Sequence, residues 1–382
     1  MTAMIIDRSS PIPQYFQLQT WLIEQMEQGV FRPSDRIPTE EELVRITGLA
    51  RATVRQAVQN LTNMGYLSRQ RRRGTFVLNR MSDSGRRTIV GILVPDIRSG
   101  YAPELARGAE DEAARNRHSL ILCSTDDLFV KADLQSDRLI EEGVNGVIFV
   151  PTAASDDKNL RIVEKFTRRN IPVVLADRTV PGVTVDFVTT DNFQGAYALT
   201  EYLVRRGHRR IVIALSTLFS TERERLEGYK KALTDMRLRS DPSLVFASSV
   251  PYHEKRYMEY ARDILGHIDS ITAIFAGHDR IAYLFYAVAQ DMGISIPRDV
   301  SLVGYDDLPF THSHPASLTT VHQPIYEMGL ESMKRIMCRI RGEGGGPHKV
   351  VLKSHLVERS SVLPVRDTKG KVSRLSLQKE QS

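Results

Sequence analysis

Apolar positions in the first eighty residues recur at helical intervals. Leu18, Leu22 and Met26 are spaced i, i+4 within residues 13–28, with Tyr15 and Trp21 beside them. That stripe predicts a helix with one face on a small core, stopped by Gly29. In IPTEEEL, residues 37–43, Thr39 and Glu42 have the spacing of a capping box, and Ile37 and Leu43 flank it as a hydrophobic staple would. A second helix is expected to start there and to end at Gly48. Residues 50–64 put Val54, Ala57, Val58 and Leu61 on one face of a third helix and Arg51, Arg55 and Gln59 on the other. Two short helices joined by a tight Gly turn, the second carrying outward arginines, have the layout of a helix-turn-helix. Gly65 closes the third helix. YLSRQRRRGTFVL, residues 66–78, then predicts two hairpin strands around an arginine-rich tip, a wing on which Arg72 and Arg73 sit nearest the end.

From residue 88 the pattern changes to short β-branched runs separated by helical segments. Strands are expected in TIVGILVP, SLILCST, GVIFVP and PVVLADR, with helices over residues 103–117, 131–142 and 157–170. The alternation then repeats through DFVTTDN, RIVIAL, AIFAGHD and VSLVGYDD, with helices over 194–206, 223–236 and 280–292, as a second lobe. Runs of this kind build parallel sheets covered on both faces. Two such lobes form a cleft, and open parallel sheets bind ligands beyond the carboxyl ends of their strands. A further helix is expected over 325–340, followed by a GEGGG loop at 342–346. The expected division is therefore a winged helix-turn-helix in residues 1–79, a polar linker in 80–87, a two-lobed α/β domain in 88–363 and a disordered basic tail in 364–382.

Charge sharpens this picture. Residues 1–87 hold 13 Arg, no Lys and 8 acidic residues, and the stretch 43–82 contains eight arginines and no acid. Residues 88–363 carry 34 basic and 36 acidic side chains. A one-sign stretch repels itself unless it meets a polyanion, so nucleic acid is the expected partner of the first domain, the alternative being a solvated basic face. The longest apolar run, near residues 144–150, is far shorter than the ~20 residues of a membrane span, and no basic segment followed by an apolar run opens the chain, so a cytoplasmic protein is expected. Cys123 and Cys338 are the only cysteines and have no ligand spacing, and His312, His314 and His322 lack an acidic or cysteine partner at metal-ligand spacing. Neither a metal nor a cofactor is expected. Cys123 alternates like a buried strand residue.

The first domain resembles the GntR family of bacterial regulators, through PQYFQL at 13–18, IPTEEEL at 37–43, GLARATVRQAVQNL at 48–61 and GYLSRQRRRGTFV at 65–77. The resemblance implies that Arg51, Thr53, Arg55 and Gly74 meet DNA. Physically, an arginine fork on guanine specifies, whereas arginines on phosphate only position. Some members carry Arg where Glu41 stands, which here removes a phosphate contact. Residues 88–363 are similar to the LacI/GalR effector domain and its relatives, the periplasmic sugar-binding proteins, through VGILVPD, NGVIFVP, IPVVLADR, TTDNFQGA, RGHRRI, RERLEGY, IPRDVSLVGYDD and LTTVHQP. The whole chain looks like the arabinose-type repressors, which join these two parts. That resemblance implies effector contacts by Tyr101, Asp177, Arg178, Arg225, Tyr252, His278, Asp279, Asp306 and Gln323. Ala102 replaces the second of a usual aromatic pair, and His278 stands where Asn is usual.

A polyol suits such a set, because carboxylates and guanidinium groups fix hydroxyls while an aromatic face covers the C–H patch. Asp177, Arg178 and Asp306 have a second reading as a hinge ion pair, Tyr101 and Tyr252 as partly exposed aromatics, and Asp191 with Asn192 as a helix N-cap. No G-x-G-x-x-G follows the first strand and no G-x-S-x-G appears, so an enzyme is not expected. The expected function is a homodimeric repressor, its two-fold matching a palindromic operator of double-stranded DNA, that releases DNA when a monosaccharide closes the cleft. A non-sugar effector, or a constitutive DNA-binding dimer without one, are the alternatives.

Overall fold

The computed structural model describes residues 6–7, 12–70, 73–78, 88–98, 100–217, 219–247, 254–267, 270–309 and 317–365. Two compact units divide the chain between residues 87 and 88. The linker expected over 80–87 lies outside the described residues, as does the tail beyond residue 365.

The first unit comprises α1 (Gln14–Glu27), α2 (Glu40–Thr47), α3 (Arg51–Asn63) and the antiparallel hairpin β1 (Leu67–Gln70) and β2 (Gly74–Val77). Leu18, Leu22, Ile37, Leu43, Val54, Val58, Leu61, Leu67 and Val77 share one core, so each element contributes its apolar stripe to a common interior. The capping box forms. Thr39 Oγ1 accepts from Glu42 N at 3.2 Å and Glu42 accepts from Thr39 N at 2.7 Å, which satisfies two of the N–H groups a helix start leaves open. Gly48 ends α2 at φ 66°, a left-handed conformation that glycine adopts without strain. Residues 34–37 lie along β2, with Ile37 N donating to Thr75 O and Ser34 N to Val77 O, which braces the hairpin against the helices.

The second unit holds two parallel sheets. The first contains β3 (Ile89–Val94), β4 (Ser119–Ser124), β5 (Gly146–Phe149), β6 (Val173–Ala176) and β7 (Asp186–Thr190), interleaved with α4 (Ala102–Arg115), α5 (Phe129–Glu141) and α6 (Asp156–Thr167). After β7 come α7 (Asn192–Arg205), β8 (Ile211–Leu215), α8 (Ser220–Asp235), β9 (Val245–Ala247), α9 (Glu254–Leu265), β10 (Ala273–Ala276), α10 (Asp279–Asp291) and β11 (Ser301–Val303). The chain closes with β12 (Thr320–His322), α11 (Ile325–Ile340), β13 (Lys349–Leu352) and β14 (His355–Val357). The strand orders are β13-β7-β6-β5-β3-β4 and β11-β10-β8-β9, and β12 pairs with β14 as a separate antiparallel ladder. Each parallel sheet is covered on both faces, which is why its strands read as continuous apolar runs.

One expectation is corrected. DFVTTDN opens the second lobe in the sequence pattern, but β7 is a strand of the first sheet, where Leu175 pairs with Phe187 and Val350 with Val188. The chain crosses between lobes only after Thr190. Apolar alternation reveals that a strand exists but not which neighbour it pairs with. The crossing segments lie side by side, Asp306 N donating to Val321 O at 2.9 Å and Gln323 N to Asp306 O at 3.5 Å. They bring Asp306 and Gln323 to the cleft, with Thr190 hydrogen-bonded to Gln323 and Asn192 to Arg225. Among the described residues no helix is long and apolar enough to cross a membrane, and no group of three or more His, Cys, Asp or Glu side chains could hold a metal ion.

Candidate functional site

In the first unit, α2 and α3 meet through the Gly48 turn, and Arg51 and Arg55 stand one helical turn apart on the exposed side of α3, about 60% accessible. Thr53 is half-buried between them. Ala50 gives α3 no side-chain cap, so its first N–H groups stay available to an anion. Acidic partners from the start of α2 reach the arginines: Glu41 to Arg51 at 3.5 Å and Glu40 to Arg55 at 3.5 Å. Glu40 also holds Arg69 of the wing at 2.8 Å, so one carboxylate ties the outward helix to the hairpin. Arg73 is exposed in the wing turn. Gly74 has φ 118°, and a Cβ there would lie 2.7 Å from Arg36 Nε, so glycine at this position has a conformational reason besides any contact with DNA. Arg72 lies outside the described residues.

In the second unit the strand ends of both lobes surround a cavity with an empty volume of about 710 Å³, counted out to bulk solvent. Tyr101, Asp177, Arg178, Arg225, His278, Asp306 and Gln323 all line it. Arg178 is 5% exposed, and its guanidinium donates to Asp127 Oδ1 at 2.6 Å, to Asp127 Oδ2 at 3.3 Å and to Pro151 O at 2.8 Å while lying 3.7 Å over the Phe219 ring. Burial opposes its charge, yet Asp127 holds the group protonated more firmly than usual. Arg225, 4% exposed, donates to Asn192 Oδ1 at 2.9 Å and Gly277 O at 2.7 Å, lies 3.6 Å from Asp306 and stacks 3.8 Å over Tyr305. Asp306 accepts from Gln323 Nε2 at 2.7 Å, and Gln323 Oε1 in turn accepts from Thr190 Oγ1, so the three crossing segments are joined through side chains.

Burial raises the proton affinity of Asp177 and of Asp306 against the pull of nearby arginines. Burial likewise holds His278 neutral; its Nδ1 accepts from Ile281 N and caps α10. Asp127, Asp177 and Asp306 have φ of 60°, 62° and 116°. Side chains held in such sparsely populated backbone conformations are over-determined by their surroundings, a pattern that clusters at ligand clamps. Tyr101 Oη is buried and makes no hydrogen bond of good geometry; burial and the Asp177 charge push its phenol well above the ordinary value. The lobes also touch across the cleft, through Arg223 and Asp156 at 3.3 Å and Thr179 N to Ser220 Oγ at 2.8 Å.

One expected contact among the described residues is not brought together with the rest. Asp279 does not line the cavity. It is fully buried, with its carboxylate accepting from Thr320 Oγ1 at 2.8 Å and Leu308 N at 2.9 Å, so its oxygens are engaged at the lobe junction rather than in the cleft. Tyr252 lies outside the described residues. The hinge-pair reading of Asp177, Arg178 and Asp306 holds in part: Arg178 Nε lies 3.9 Å from Asp177 Oδ2, while the shorter contacts join Arg178 to Asp127 and Asp306 to Arg225. Asp191 caps α7 through Gln194 N at 2.9 Å, while Asn192 turns to Arg225. His322 is paired with Asp307 at 3.0 Å beside the His355 ring, and His312 and His314 lie outside the described residues. The sequence reading missed Asp127, Phe219 and Glu222, all of which line the cavity. Asp127 lies three residues past the end of β4, in the loop at a strand's carboxyl end, the signal that would have found it.

Residues 14–77 match the model of the bacterial regulatory proteins of the gntR family, and residues 200–362 match the periplasmic binding protein-like domain. The chain is similar to an arabinose metabolism transcriptional repressor of Geobacillus stearothermophilus, 28% identical over 334 residues that cover 86% of this chain and 92% of that protein. It is similar to a ribose operon repressor of Halalkalibacterium halodurans, 28% identical over 324 residues, 82% of this chain and 94% of that one. Among solved structures, a LacI family transcriptional regulator from Enterococcus faecium with bound ribose has a TM-score of 0.63 and 29% identity, covering 73% of this chain and 100% of that one.

Proposed function

We propose that this chain, whose residues 14–77 match the gntR family model and whose residues 200–362 match the periplasmic binding protein-like domain, is a repressor whose grip on operator DNA is relieved by a monosaccharide bound between its lobes. The observation that carries this reading is the convergence of Tyr101, Asp177, Arg178, Arg225, Asp306 and Gln323 on one cavity. Five of these six are at most 6% exposed. Buried polar groups of both lobes that face a common space favour a ligand rich in hydroxyls, which can donate to the carboxylates and accept from the guanidinium groups at once. The bound ribose of the Enterococcus faecium regulator and the names of the arabinose and ribose repressors point to the same class of ligand.

In the DNA-binding domain, Arg51, Thr53 and Arg55 read bases at the start of α3, while Arg72, Arg73 and Gly74 meet the backbone or groove through the wing. Phosphate contacts position the domain and the outward arginines specify the site. In the effector domain, Asp306 and Gln323 touch the cavity and bridge the crossing segments, so a ligand that prefers one lobe arrangement shifts the same equilibrium that DNA senses. The protein acts in the cytoplasm as a homodimer. In support of the dimer, β4 is a sheet edge exposing Leu122, and the helix after it exposes Val130 and Leu134, at 44%, 78% and 66%.

A thermal-shift screen of monosaccharides and their phosphates, followed by operator binding with and without each hit, tests the proposal. A sugar that binds only the native fold raises stability by ~2.7 kcal/mol at a hundred times Kd. That sugar is expected to weaken operator binding. If no sugar shifts the melt, the effector belongs to another chemical class. If sugars bind but leave operator affinity unchanged, the coupling is absent.

A further inference from the structure

Glu222 has no counterpart among the effector contacts that the family resemblance implies. It sits in the first turn of α8, is fully buried and lines the cleft. Its Oε1 accepts from Ser216 Oγ at 2.9 Å, whereas Oε2 has no hydrogen-bond partner among the described residues. A buried carboxylate oxygen left unpaired is costly, and that cost is a reason to look for the donor that completes it. Space is kept for this carboxylate: a Cβ on Gly277 would lie 2.7 Å from Oε2. Two further buried polar atoms of cavity-lining residues, Tyr101 Oη and Arg178 Nε, make no hydrogen bond of good geometry among the described residues, although both face Asp177, whose Oδ2 lies 3.9 Å from Arg178 Nε. One carboxylate oxygen, one N–H and one hydroxyl thus keep hydrogen-bonding capacity toward the cavity, a set that matches a ligand with several hydroxyl groups.

The charges around the cavity narrow the class. Asp96, Asp127, Asp177, Glu222 and Asp306 line it, against Arg178, Arg225 and Arg280. The two deeply buried guanidinium groups are already committed: Arg178 forks onto Asp127 and donates to Pro151 O, and Arg225 donates to Asn192 and Gly277 O beside Asp306. A phosphate or carboxylate entering the cleft would therefore find both buried arginine forks occupied and meet the Glu222 carboxylate, whose proton affinity burial raises against the pull of Arg225 and Arg178.

We infer that Glu222 sets the specificity of the cleft, accepting a hydrogen bond from a hydroxyl of an uncharged sugar and rejecting phosphorylated or carboxylated sugars. This rests on the sugar reading above and assigns it a chemical class. Like charges ~6 Å apart in a site of effective dielectric ~20 disfavour an anionic sugar on the order of a hundredfold. Exchanging a charged for a neutral acceptor weakens the hydrogen bond by about tenfold in affinity.

The test is calorimetric titration of the full chain with L-arabinose, D-ribose, D-ribose 5-phosphate and D-ribonate, in wild type and in Glu222→Gln, with operator binding as the check on fold. Wild type should bind a neutral pentose at least about a hundredfold more tightly than the phosphate or the acid. Glu222→Gln should weaken the neutral pentose about tenfold and narrow that ratio. An anionic sugar binding wild type as tightly as a neutral one overturns the inference without any variant. A Gln variant with unchanged affinity and ratio removes the role of Glu222 while the sugar reading stands. Should none of the four probes bind wild type, pentose sensing itself fails, and this inference with it.

Discussion

Replacing Asp306 by Asn keeps the shape of the side chain and removes one buried charge, with effects of opposite sign on stability and on response. The carboxylate is 6% exposed, accepts from Gln323 at 2.7 Å and lies 3.6 Å from Arg225. At an effective dielectric of ~20 the attraction to Arg225 is ~4–5 kcal/mol. Burial nevertheless outweighs it, because the proton affinity of Asp306 is raised. A carboxyl whose folded-state pKa lies above its unfolded value withdraws stability as pH rises past the unfolded value. Asn escapes that loss. Arg225 keeps the nearby charges of Glu222 and Asp177, so the variant is expected to melt higher than wild type at pH 7.5, by ~1–2 kcal/mol or ~2–6 °C. The gain should shrink as the pH falls and vanish below about pH 3, where the wild-type carboxyl is protonated in both states. Toward the ligand the sign reverses: a charged acceptor becomes neutral, a loss of ~1.4 kcal/mol or tenfold. Operator affinity without sugar should be unchanged, and release should need about ten times more sugar. Melting curves at two pH values and operator titrations with and without sugar measure both effects. A variant less stable than wild type at pH 7.5, or one that releases DNA at the wild-type sugar concentration, refutes the reasoning.

The elements with strong local signals were legible in the sequence. The Thr39–Glu42 box, the Gly48 turn and the α3 stripe are determined within a few residues of chain, and the structure forms each of them. The strand-end rule likewise places Asp177, Arg178 and Asp306 at the cleft, because a parallel sheet delivers every strand's carboxyl end to one edge. What was not legible depends on pairing across the chain. The sheet to which β7 belongs is decided by its hydrogen bonds to β6 and to β13, which comes some 160 residues later. Asp279 follows a strand as a ligand contact would, yet Thr320 and Leu308 arrive from the crossing segments and consume both its oxygens. β12 and β14 are three residues each, too short for alternation to register. The helix α9 was overlooked although its signal was present: Tyr257, Ala261, Ile264 and Leu265 are buried at helical spacing behind a run of charges.

Three further outcomes are expected. Arg51→Ala or Arg55→Ala should each reduce discrimination between operator and random DNA by ~1–3 kcal/mol if the arginine contacts a base, measured at matched salt; unchanged discrimination would refute the assignment of α3 as the reading helix. Glu40→Gln frees Arg55 and Arg69 from their shared carboxylate and should tighten binding to random DNA severalfold with little change in stability, since exposed pairs contribute ~0–1 kcal/mol; random-DNA affinity that stays constant would show that Glu40 does not restrain these arginines. The last concerns acid sensitivity. His208 is 2% exposed, its Nε2 lies 3.1 Å from Leu363 O, and burial lowers its pKa to about 4. In the unfolded chain the ring takes up a proton near pH 6.5, so between there and pH 4 the unfolded state binds more protons than the folded one. Stability from this residue is present above pH 6.5 and is lost as pH falls toward 4, by up to about 3 kcal/mol. The expected result is that His208→Asn, less stable than wild type at pH 7, closes that gap progressively as the pH is lowered to 4. Denaturant curves that stay parallel for the two proteins across this range would mean that His208 does not remain neutral in the folded chain.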